Sequence, residues 1–242
     1  MLEPIRRSHA SAGIFLDFDG TMAEIVERPE VARPFPGMLQ ALEELASSYE
    51  VVAVLSGRPT SDLRRLVPIR GVETFGYYGL TGLSAAQHLL GGVRDQVARI
   101  ADSVPGAWME NKGPTLAVHY RSVSDSQQPE RKLEPPLLEL AERKGLGLLR
   151  GKKVFELVPS SESGKGEAIL REAVARGISA CLYAGDDLAD LDAFQALERL
   201  RDRGVHAVRV AVRTEETPED LCRRADIVVD RPAGLLTLLE SL

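Results

Sequence analysis

The sequence predicts an α/β fold, in which a Rossmann-like parallel-sheet core carries an inserted, smaller α+β domain. Short, continuous apolar runs alternate with segments of helical spacing at both ends of the chain. This alternation is typical of buried parallel strands connected by helices. Between the two ends lie strand-like segments that are close neighbours in sequence, as in hairpins. We therefore expect the core at residues 1–83 and 160–242 and the inserted domain at residues 84–159.

The N-terminal part of the core is predicted from its apolar runs and from the turns that close them. A buried parallel strand is a short, unbroken apolar run, and three such runs predict strands at 14–18, 51–55 and 75–80. Apolar residues at helical spacing, and a proline at a first turn, predict helices at 38–45 and 59–66. These elements form successive strand–helix units of one parallel sheet.

The same patterns assign the rest of the chain. In the inserted domain, we expect helices at 93–104 and 129–144 and strands at 116–120, 146–149 and 154–158. The last two strands flank a Gly-Lys-Lys turn, which favours a hairpin. In the C-terminal part of the core, we expect helices at 165–175, 191–200 and 235–239 and strands at 180–184, 207–212 and 227–229.

Composition excludes several classes of function. The net charge of the 242 residues is -6 and the basic residues are scattered, which argues against a nucleic-acid partner. No apolar run approaches the roughly 18 residues that a membrane span needs. Cys181 and Cys222 form no CxxC pair, so neither a redox motif nor a zinc site is indicated. We expect a cytoplasmic protein without a membrane partner.

Three of the predicted core strands end in loops rich in polar residues. Asp17-Phe18-Asp19-Gly20-Thr21 follows the first strand, and Ser56-Gly57-Arg58 follows the second. Gly185-Asp186-Asp187, with Asp190, follows the strand at 180–184. Ligands of open parallel sheets bind beyond the carboxyl ends of the strands, so one fold rule brings these loops together. The sequence therefore predicts one site built from three distant segments.

The residue types in these loops indicate phosphoryl chemistry. Clustered carboxylates repel one another unless a cation is present, and hard oxygen ligands suit Mg²⁺. Lys165 adds a point charge and Ser56 adds a hydroxyl group, and both suit phosphate oxygens. An aspartate can serve as a covalent nucleophile on phosphorus when cations offset the charge repulsion. We expect a Mg²⁺-dependent phosphatase that acts through an aspartyl-phosphate.

In their order and spacing, these motifs resemble the set that defines the haloacid dehalogenase superfamily. The resemblance implies that Asp17 is the nucleophile and that Asp19 is the general acid and base. It implies that Ser56 and Lys165 hold the phosphoryl oxygens. It implies that Mg²⁺ is bound by Asp17, the backbone carbonyl of Asp19 and Asp186, with Asp187 or Asp190 assisting. Thr21, Gly57 and Arg58, in the same loops, are assigned to substrate binding.

A narrower resemblance is to the trehalose-6-phosphate phosphatase family. Segments similar to motifs of that family lie at 15–29, 55–58, 111–113, 116–121, 151–156 and 190–194. The resemblance implies a sugar phosphate as substrate, most directly trehalose 6-phosphate. It implies that Lys112, Lys152 and Glu156 of the inserted domain, the cap of this family, face the sugar. It also implies a trehalose-phosphate synthase of the same pathway as a partner.

At four positions the chain departs from the pattern of that family, which leaves the substrate open. The departures are Thr81, Ser84, Val158 and Leu191. The alternatives are a phosphatase of another glycoside or polyol, such as glucosylglycerol or mannosylglycerate phosphate, a phosphomutase, or a non-catalytic regulatory domain that binds a sugar phosphate. The last alternative would be expected to lack Asp17, Asp19 or Lys165, and all three are present.

Three further residues of the inserted domain receive expectations. Trp108 is the only tryptophan, and we expect it to pack in a core, with stacking against a sugar ring as the alternative. His119 and Arg121 are expected to be structural, because they lie in or next to a predicted strand.

Overall fold

The computed structural model describes residues 1–26, 28–124, 128–160 and 164–242. Within these residues the α-helices are α1 (Glu3–Arg7), α2 (Met38–Ser48), α3 (Thr60–Leu66), α4 (Leu83–Gly91), α5 (Arg94–Asp102), α6 (Pro129–Lys144), α7 (Lys165–Ala175), α8 (Asp190–Asp202), α9 (Glu219–Arg224) and α10 (Arg231–Glu240). The strands are β1 (Ala12–Leu16), β2 (Val51–Leu55), β3 (Val72–Phe75), β4 (Trp108–Asn111), β5 (Leu116–His119), β6 (Gly147–Gly151), β7 (Val154–Val158), β8 (Ala180–Gly185), β9 (His206–Arg213) and β10 (Ile227–Asp230). None of the helices in the described ranges combines the length and the apolar composition that a membrane crossing requires.

The chain divides into two compact units. The first unit comprises Met1–Gly79 and Lys165–Leu242, and the second unit is Leu80–Gly164. This division lies four and five residues from the boundaries that the sequence suggested, at 83/84 and 159/160. The described strands form a six-stranded sheet in the first unit and a separate four-stranded sheet in the second, which confirms the predicted α/β class.

The six strands of the first unit are all parallel, in the order β10-β9-β8-β1-β2-β3. Both faces of this sheet are covered. Ile14 and Leu16 of β1 belong to one apolar core, with residues of α2, α3 and α10. Phe15, between them, belongs to a second core, with residues of α7, α8 and α9. Because successive side chains of a strand point to opposite faces, burial on both faces requires the unbroken apolar run that the sequence shows.

The sheet of the second unit is antiparallel, in the order β4-β5-β7-β6. One face packs on helices: Leu116 and Val118 of β5 share a core with apolar residues of α5 and α6. The opposite face carries the alternate residues of the same strands, among them Ala117 and Glu156. Antiparallel sheets commonly pack one face on a core and leave the other for polar side chains.

Several element boundaries differ from the sequence-based expectation. The third strand lies at Val72–Phe75, and not at 75–80, because Tyr77 and Tyr78 adopt left-handed backbone angles that end the extended chain. The expected strand at 14–18 ends at Leu16, where the chain turns into the Asp17 loop. Four of the described helices and strands were not predicted, namely α1, α4, β4 and α9. α9 has six residues and β4 has four, which is too short for a periodic pattern to identify them.

Candidate active site

The loops that the sequence singled out meet at one edge of the parallel sheet. The order β8-β1-β2 places the carboxyl ends of these strands side by side. Asp17 follows β1, Ser56 follows β2 and Asp186 follows β8, and all three side chains are buried. The backbone N–H of Asp17 donates a hydrogen bond to the carbonyl of Ala184, at 2.9 Å, so the pairing of β1 with β8 continues into the site.

Asp17 and Lys165 form a buried ion pair at the centre of the site. Lys165 is the first residue of α7, and its Nζ lies 2.6 Å from Oδ1 of Asp17. Burial raises the pKa of Asp17 well above its ordinary value, against the attraction of Lys165, and the charges of Asp190 and Asp186 raise it further. Burial alone would lower the pKa of Lys165, but Asp17 and Asp190 outweigh it and raise that pKa. The lysine is therefore a permanent cation.

Asp190 holds the other side of Lys165. Its Oδ1 accepts hydrogen bonds from Nζ of Lys165, at 2.6 Å, and from the hydroxyl of Tyr183. Its Oδ2 accepts from the backbone N–H groups of Asp186 and Asp187, at 2.8 and 2.9 Å. A carboxylate offers about four acceptor positions, and these four donors fill them. Asp190 thus ties α8, the β8 loop and the lysine into one rigid cluster.

Gly20 allows the loop after β1 to pass against Asp186. Its φ is +86°, in the left-handed region, and a Cβ at this position would lie 2.0 Å from Oδ2 of Asp186. The hydroxyl of Thr21 donates to the other oxygen of Asp186, at 3.1 Å. A residue with a side chain at position 20 would therefore displace the Asp186 carboxylate from its place in the site.

Comparison of Gly20 with a second glycine, Gly204, distinguishes the steric effect on Asp186 from the backbone strain of a left-handed residue. Gly204 has φ +85°, close to that of Gly20, but a Cβ there would meet nothing within 4 Å. We expect Gly204→Ala to lower the free energy of unfolding by about 1–2 kcal/mol, the cost of a left-handed non-glycine residue, without loss of the phosphate release that the sequence predicts. Gly20→Ala should in addition lower kcat by about 100-fold, because it moves a reacting-site carboxylate by an ångström or more.

Urea unfolding and phosphate-release assays of both variants measure these effects. Equal activity in Gly20→Ala and Gly204→Ala would show that the position of Asp186 does not matter for turnover.

Asp19 and Arg58 form a second ion pair in the site. Nε and one terminal nitrogen of Arg58 each donate to a different oxygen of Asp19, both at 2.7 Å. The guanidinium also lies over the ring of Phe18, 5.3 Å from its centroid. The Ser56 hydroxyl oxygen accepts the N–H of Arg58 at 3.2 Å, and a Cβ on Gly57 would meet the ring of Tyr78 at 2.5 Å. The Ser56-Gly57-Arg58 turn is thus fixed against the loop after β1.

The residues of the site fit a divalent cation. Asp17, Asp186 and Asp190 each offer a carboxylate oxygen, and these oxygens lie within 4.8 Å of one another. All three residues are buried, and the ammonium group of Lys165 offsets only one of three negative charges. Buried carboxylates so close together require a further cation or a proton. Because four hydrogen bonds already fill the acceptor positions of Asp190, the carboxylates of Asp17 and Asp186 are the members of this group that suit Mg²⁺. Mg²⁺ prefers hard oxygen ligands, and water and substrate oxygens usually complete its coordination shell.

The predicted sugar-facing residues all lie in the second unit. Nζ of Lys112 lies 2.9 Å from Oε2 of Glu156, and the hydroxyl of Thr115 donates to Oε1. Glu156 is buried, so its hydrogen bonds with Lys112 and Thr115 are shielded from water. Lys152 lies in the turn between β6 and β7, where its carbonyl accepts a hydrogen bond from Arg121. Lys112 and Glu156 therefore form a pair, whereas Lys152 lies further along the hairpin.

The sequence analysis missed Tyr183, whose hydroxyl orients Asp190. This residue was assigned only to an apolar strand, and it is fully buried in β8. A tyrosine inside a buried strand must find a partner for its hydroxyl group, and that rule would have pointed to a nearby polar residue. Asp192 was likewise not given a role, although its carboxylate accepts the N–H of Gly166, at 2.8 Å, and fixes the first turn of α7 beside Lys165.

Comparison with known proteins identifies similar chains. The family model described as trehalose-phosphatase matches residues 15–222. A Mycobacterium tuberculosis protein named as a glycosyl hydrolase is 36% identical over 203 residues, which are 76% of this chain but 15% of that protein. Trehalose-phosphate phosphatase of Mycobacterium avium is 31% identical over 246 residues, 95% of this chain and 61% of that protein. The chain thus spans less than two thirds of the length of either relative.

Solved structures share the fold. The C-terminal domain of Candida albicans trehalose-6-phosphate phosphatase superimposes with a TM-score of 0.80 at 22% identity. The match covers 99% of this chain and 94% of that domain. The fold of the chain therefore has a counterpart among experimentally determined structures.

Proposed function

Because the chain belongs to the trehalose-phosphatase family and has the haloacid dehalogenase fold, we propose that it hydrolyses trehalose 6-phosphate to trehalose and phosphate. The observation that carries this proposal is the buried Asp17, held 2.6 Å from Lys165 among further carboxylates. A carboxylate so placed has the cationic neighbour that a nucleophile needs in order to approach a phosphate dianion.

In the proposed reaction, a carboxylate oxygen of Asp17 attacks the phosphorus atom and the bond from phosphorus to the sugar oxygen breaks. The product is trehalose and a phosphoryl group on Asp17, which water then hydrolyses. Lys165 stabilises the negative charge of the phosphoryl oxygens, and Ser56, Gly57 and Arg58 contribute to their binding. When bound, Mg²⁺ would supply further positive charge to offset the negative charge of the phosphoryl group.

Asp19 acts as the general acid and then as the general base in this proposal. It protonates the sugar oxygen as that oxygen leaves, and it removes a proton from the water in the second step. Both oxygens of Asp19 accept hydrogen bonds from Arg58 in the structure. This ion pair must open before Asp19 reaches the leaving oxygen, which frees the guanidinium of Arg58 for the anionic substrate.

We further propose that Asp17, the backbone carbonyl of Asp19 and Asp186 hold the metal ion. Thr21 orients Asp186 through its hydroxyl. The four hydrogen bonds that Asp190 accepts suit a residue that positions Lys165, so of the two candidate assisting residues we assign Asp187 to the metal. In this assignment a trehalose-phosphate synthase, which forms the substrate, is the pathway partner.

A screen of phosphorylated sugars tests the function. Phosphate release is measured from trehalose 6-phosphate, glucose 6-phosphate, glucosylglycerol phosphate, mannosylglycerate phosphate and p-nitrophenyl phosphate. We expect the highest kcat/KM on trehalose 6-phosphate, with a modest preference because Thr81, Ser84 and Val158 replace groups of the usual motif. A higher kcat/KM on another sugar would reassign the substrate. Formation of an isomeric sugar phosphate, without release of inorganic phosphate, would indicate a phosphomutase. Binding of a sugar phosphate without turnover would indicate a regulatory domain.

Glu156 is expected to determine specificity for the sugar. In this proposal Glu156 accepts a hydrogen bond from a sugar hydroxyl group, and its removal leaves that hydroxyl without a partner in the bound state. Glu156→Ala should therefore lower kcat/KM on the sugar phosphate by about 100-fold. The variant should keep kcat/KM on p-nitrophenyl phosphate within about threefold, because this substrate has no hydroxyl groups to bind.

Glu134→Gln is the control, because it removes another ion pair of the same unit, with Arg150. Equal losses on both substrates in Glu156→Ala, or the same pattern in Glu134→Gln, would show that Glu156 supports only the fold.

A further inference from the structure

Trp108 lies exposed on β4, although the sequence analysis expected it in a core. β4 is an edge strand of the four-stranded sheet, and the side chain is 52% exposed. A tryptophan has the largest apolar surface of any residue, so a half-exposed ring forgoes part of the free energy that burial would contribute. The expectation of core packing is therefore wrong, and the exposed part of the ring is accessible to another molecule.

The ring is held in place by its neighbours. Trp108 lies directly opposite His119 in the register of β4 and β5, and the two rings stack, with centroids 4.3 Å apart and planes 18° from parallel. Nε2 of His119 lies 2.8 Å from Oε2 of Glu110, two residues along β4. The hydrogen bond to His119 lowers the pKa of Glu110, so this carboxylate is ionised near neutral pH. A side chain that is ordered in advance loses little entropy when it binds a ligand.

Trp108, Glu110 and His119 lie on the same face of the sheet as Glu156. Trp108 pairs with His119 and Glu110 pairs with Ala117, which in turn pairs with Glu156 of β7. Directly paired residues point to the same side of a sheet. The face opposite to α5 and α6 thus combines an aromatic ring with the carboxylates of Glu110 and Glu156.

We propose that Trp108, supported by His119, is the stacking wall of a subsite that binds a hexopyranose ring. A pyranose presents an apolar face of C–H groups, which packs on an aromatic ring, and a rim of hydroxyl groups, which carboxylates such as Glu110 accept. This inference rests on the proposed function and names part of its substrate recognition. The exposed flat ring and the adjacent acceptors are the combination that such a sugar requires.

The single tryptophan makes the subsite directly observable. Because Trp108 is the only tryptophan of the chain, tryptophan fluorescence reports on this ring alone. We expect trehalose, which carries no phosphate, to change the emission in a saturable manner, and the acyclic polyol sorbitol not to do so. His119→Ala should weaken the apparent trehalose affinity by about fivefold or more, since the ring loses its support. An emission that responds equally to trehalose and sorbitol would overturn the proposal.

Enzyme kinetics provide a second test of the subsite, independent of the fluorescence measurement. Trp108→Leu keeps apolar bulk but removes the ring, and it should lower kcat/KM on trehalose 6-phosphate about tenfold, whereas Trp108→Tyr should stay within about threefold of wild type. Neither variant should change kcat/KM on p-nitrophenyl phosphate. Leu138→Ala is the control, because Leu138 is an exposed apolar residue on α6. Melting curves followed by circular dichroism verify that each variant is folded.

Together, the fluorescence and kinetic tests distinguish failure of the proposed subsite from failure of the proposed function. If wild type does not hydrolyse trehalose 6-phosphate but its fluorescence responds to trehalose, the assigned substrate is wrong and the subsite stands. If wild type hydrolyses trehalose 6-phosphate, and Trp108→Leu is as active as Leu138→Ala with no response to trehalose in wild type, the subsite is wrong and the function stands.

Discussion

Asp17→Asn is expected to lower turnover by about ten-thousand-fold or more while the protein stays folded. The amide of asparagine cannot form the acyl phosphate, so the covalent route is lost, and removal of a nucleophile that acts within a preorganised site has effects of this order. The fold should persist, because the amide oxygen still accepts a hydrogen bond from Lys165. Lys165 also keeps its contact with Asp190, at 2.6 Å.

The measurement combines steady-state phosphate release with rapid acid quenching on mixing with trehalose 6-phosphate. Wild type should yield a phosphorylated protein, with the phosphoryl group mapped to Asp17, and Asp17→Asn should yield no phosphorylated protein. Asp192→Asn is the control, because its carboxylate lies half-buried beside α7 and accepts the backbone N–H of Gly166, a role that an amide oxygen can fill. Near-normal turnover in Asp17→Asn, or phosphorylation of this variant, would contradict the proposal that Asp17 is the nucleophile.

Removal of the metal ion is expected to have an effect of similar size. Carboxylate oxygens of Asp17, Asp186 and Asp190 lie within 4.8 Å of one another, and Lys165 pairs with the carboxylates of Asp17 and Asp190. Without a divalent cation, the excess negative charge repels an anionic substrate. Activity should therefore vanish in a chelator and return with Mg²⁺. Mg²⁺ should also raise the melting temperature, because it binds the folded state and offsets the buried charges. Full activity after exhaustive chelation would refute the metal requirement.

Two asparagine variants resolve which carboxylate binds the ion. Asp186→Asn removes one of the buried charges, so in a chelator it should melt a few degrees above wild type, but it should no longer be stabilised by Mg²⁺. Asp187→Asn changes a carboxylate that accepts the N–H of Leu188 in its own loop, and it should retain the response with weaker Mg²⁺ affinity. An Mg²⁺-dependent shift in Asp186→Asn equal to that of wild type would remove Asp186 from the metal site.

Much of the fold could be read from the sequence, because buried parallel strands leave a local pattern. Continuous apolar runs identified β1, β2 and β8, and the helix α7 was predicted at its observed bounds. Since ligands gather beyond the carboxyl ends of such strands, the same runs predicted that Asp17, Ser56 and Asp186 would meet. The family was likewise recognisable, because its motifs are short, ordered segments of sequence.

The partners of each side chain could not be read in this way. Whether Asp190 contacts a metal ion or the cluster of Lys165 and Tyr183 depends on how α8 packs beside β8, and no local pattern encodes that packing. The pairing of Arg58 with Asp19 joins loops that follow two different strands. Trp108 was expected in a core because large aromatic residues are usually buried, and only the register of β4 against β5 showed its exposed stack on His119.

The sequence by itself determined which residues lie at the edge of the sheet and what chemistry they carry. It did so because hydrophobic periodicity and motif spacing are local properties, fixed by the geometry of one strand or helix. Only the tertiary structure decided which side chains the gathered groups contact and how exposed each of them is. Hydrogen-bond partners and exposure depend on register and packing between distant segments, so they are defined only once the chain has folded.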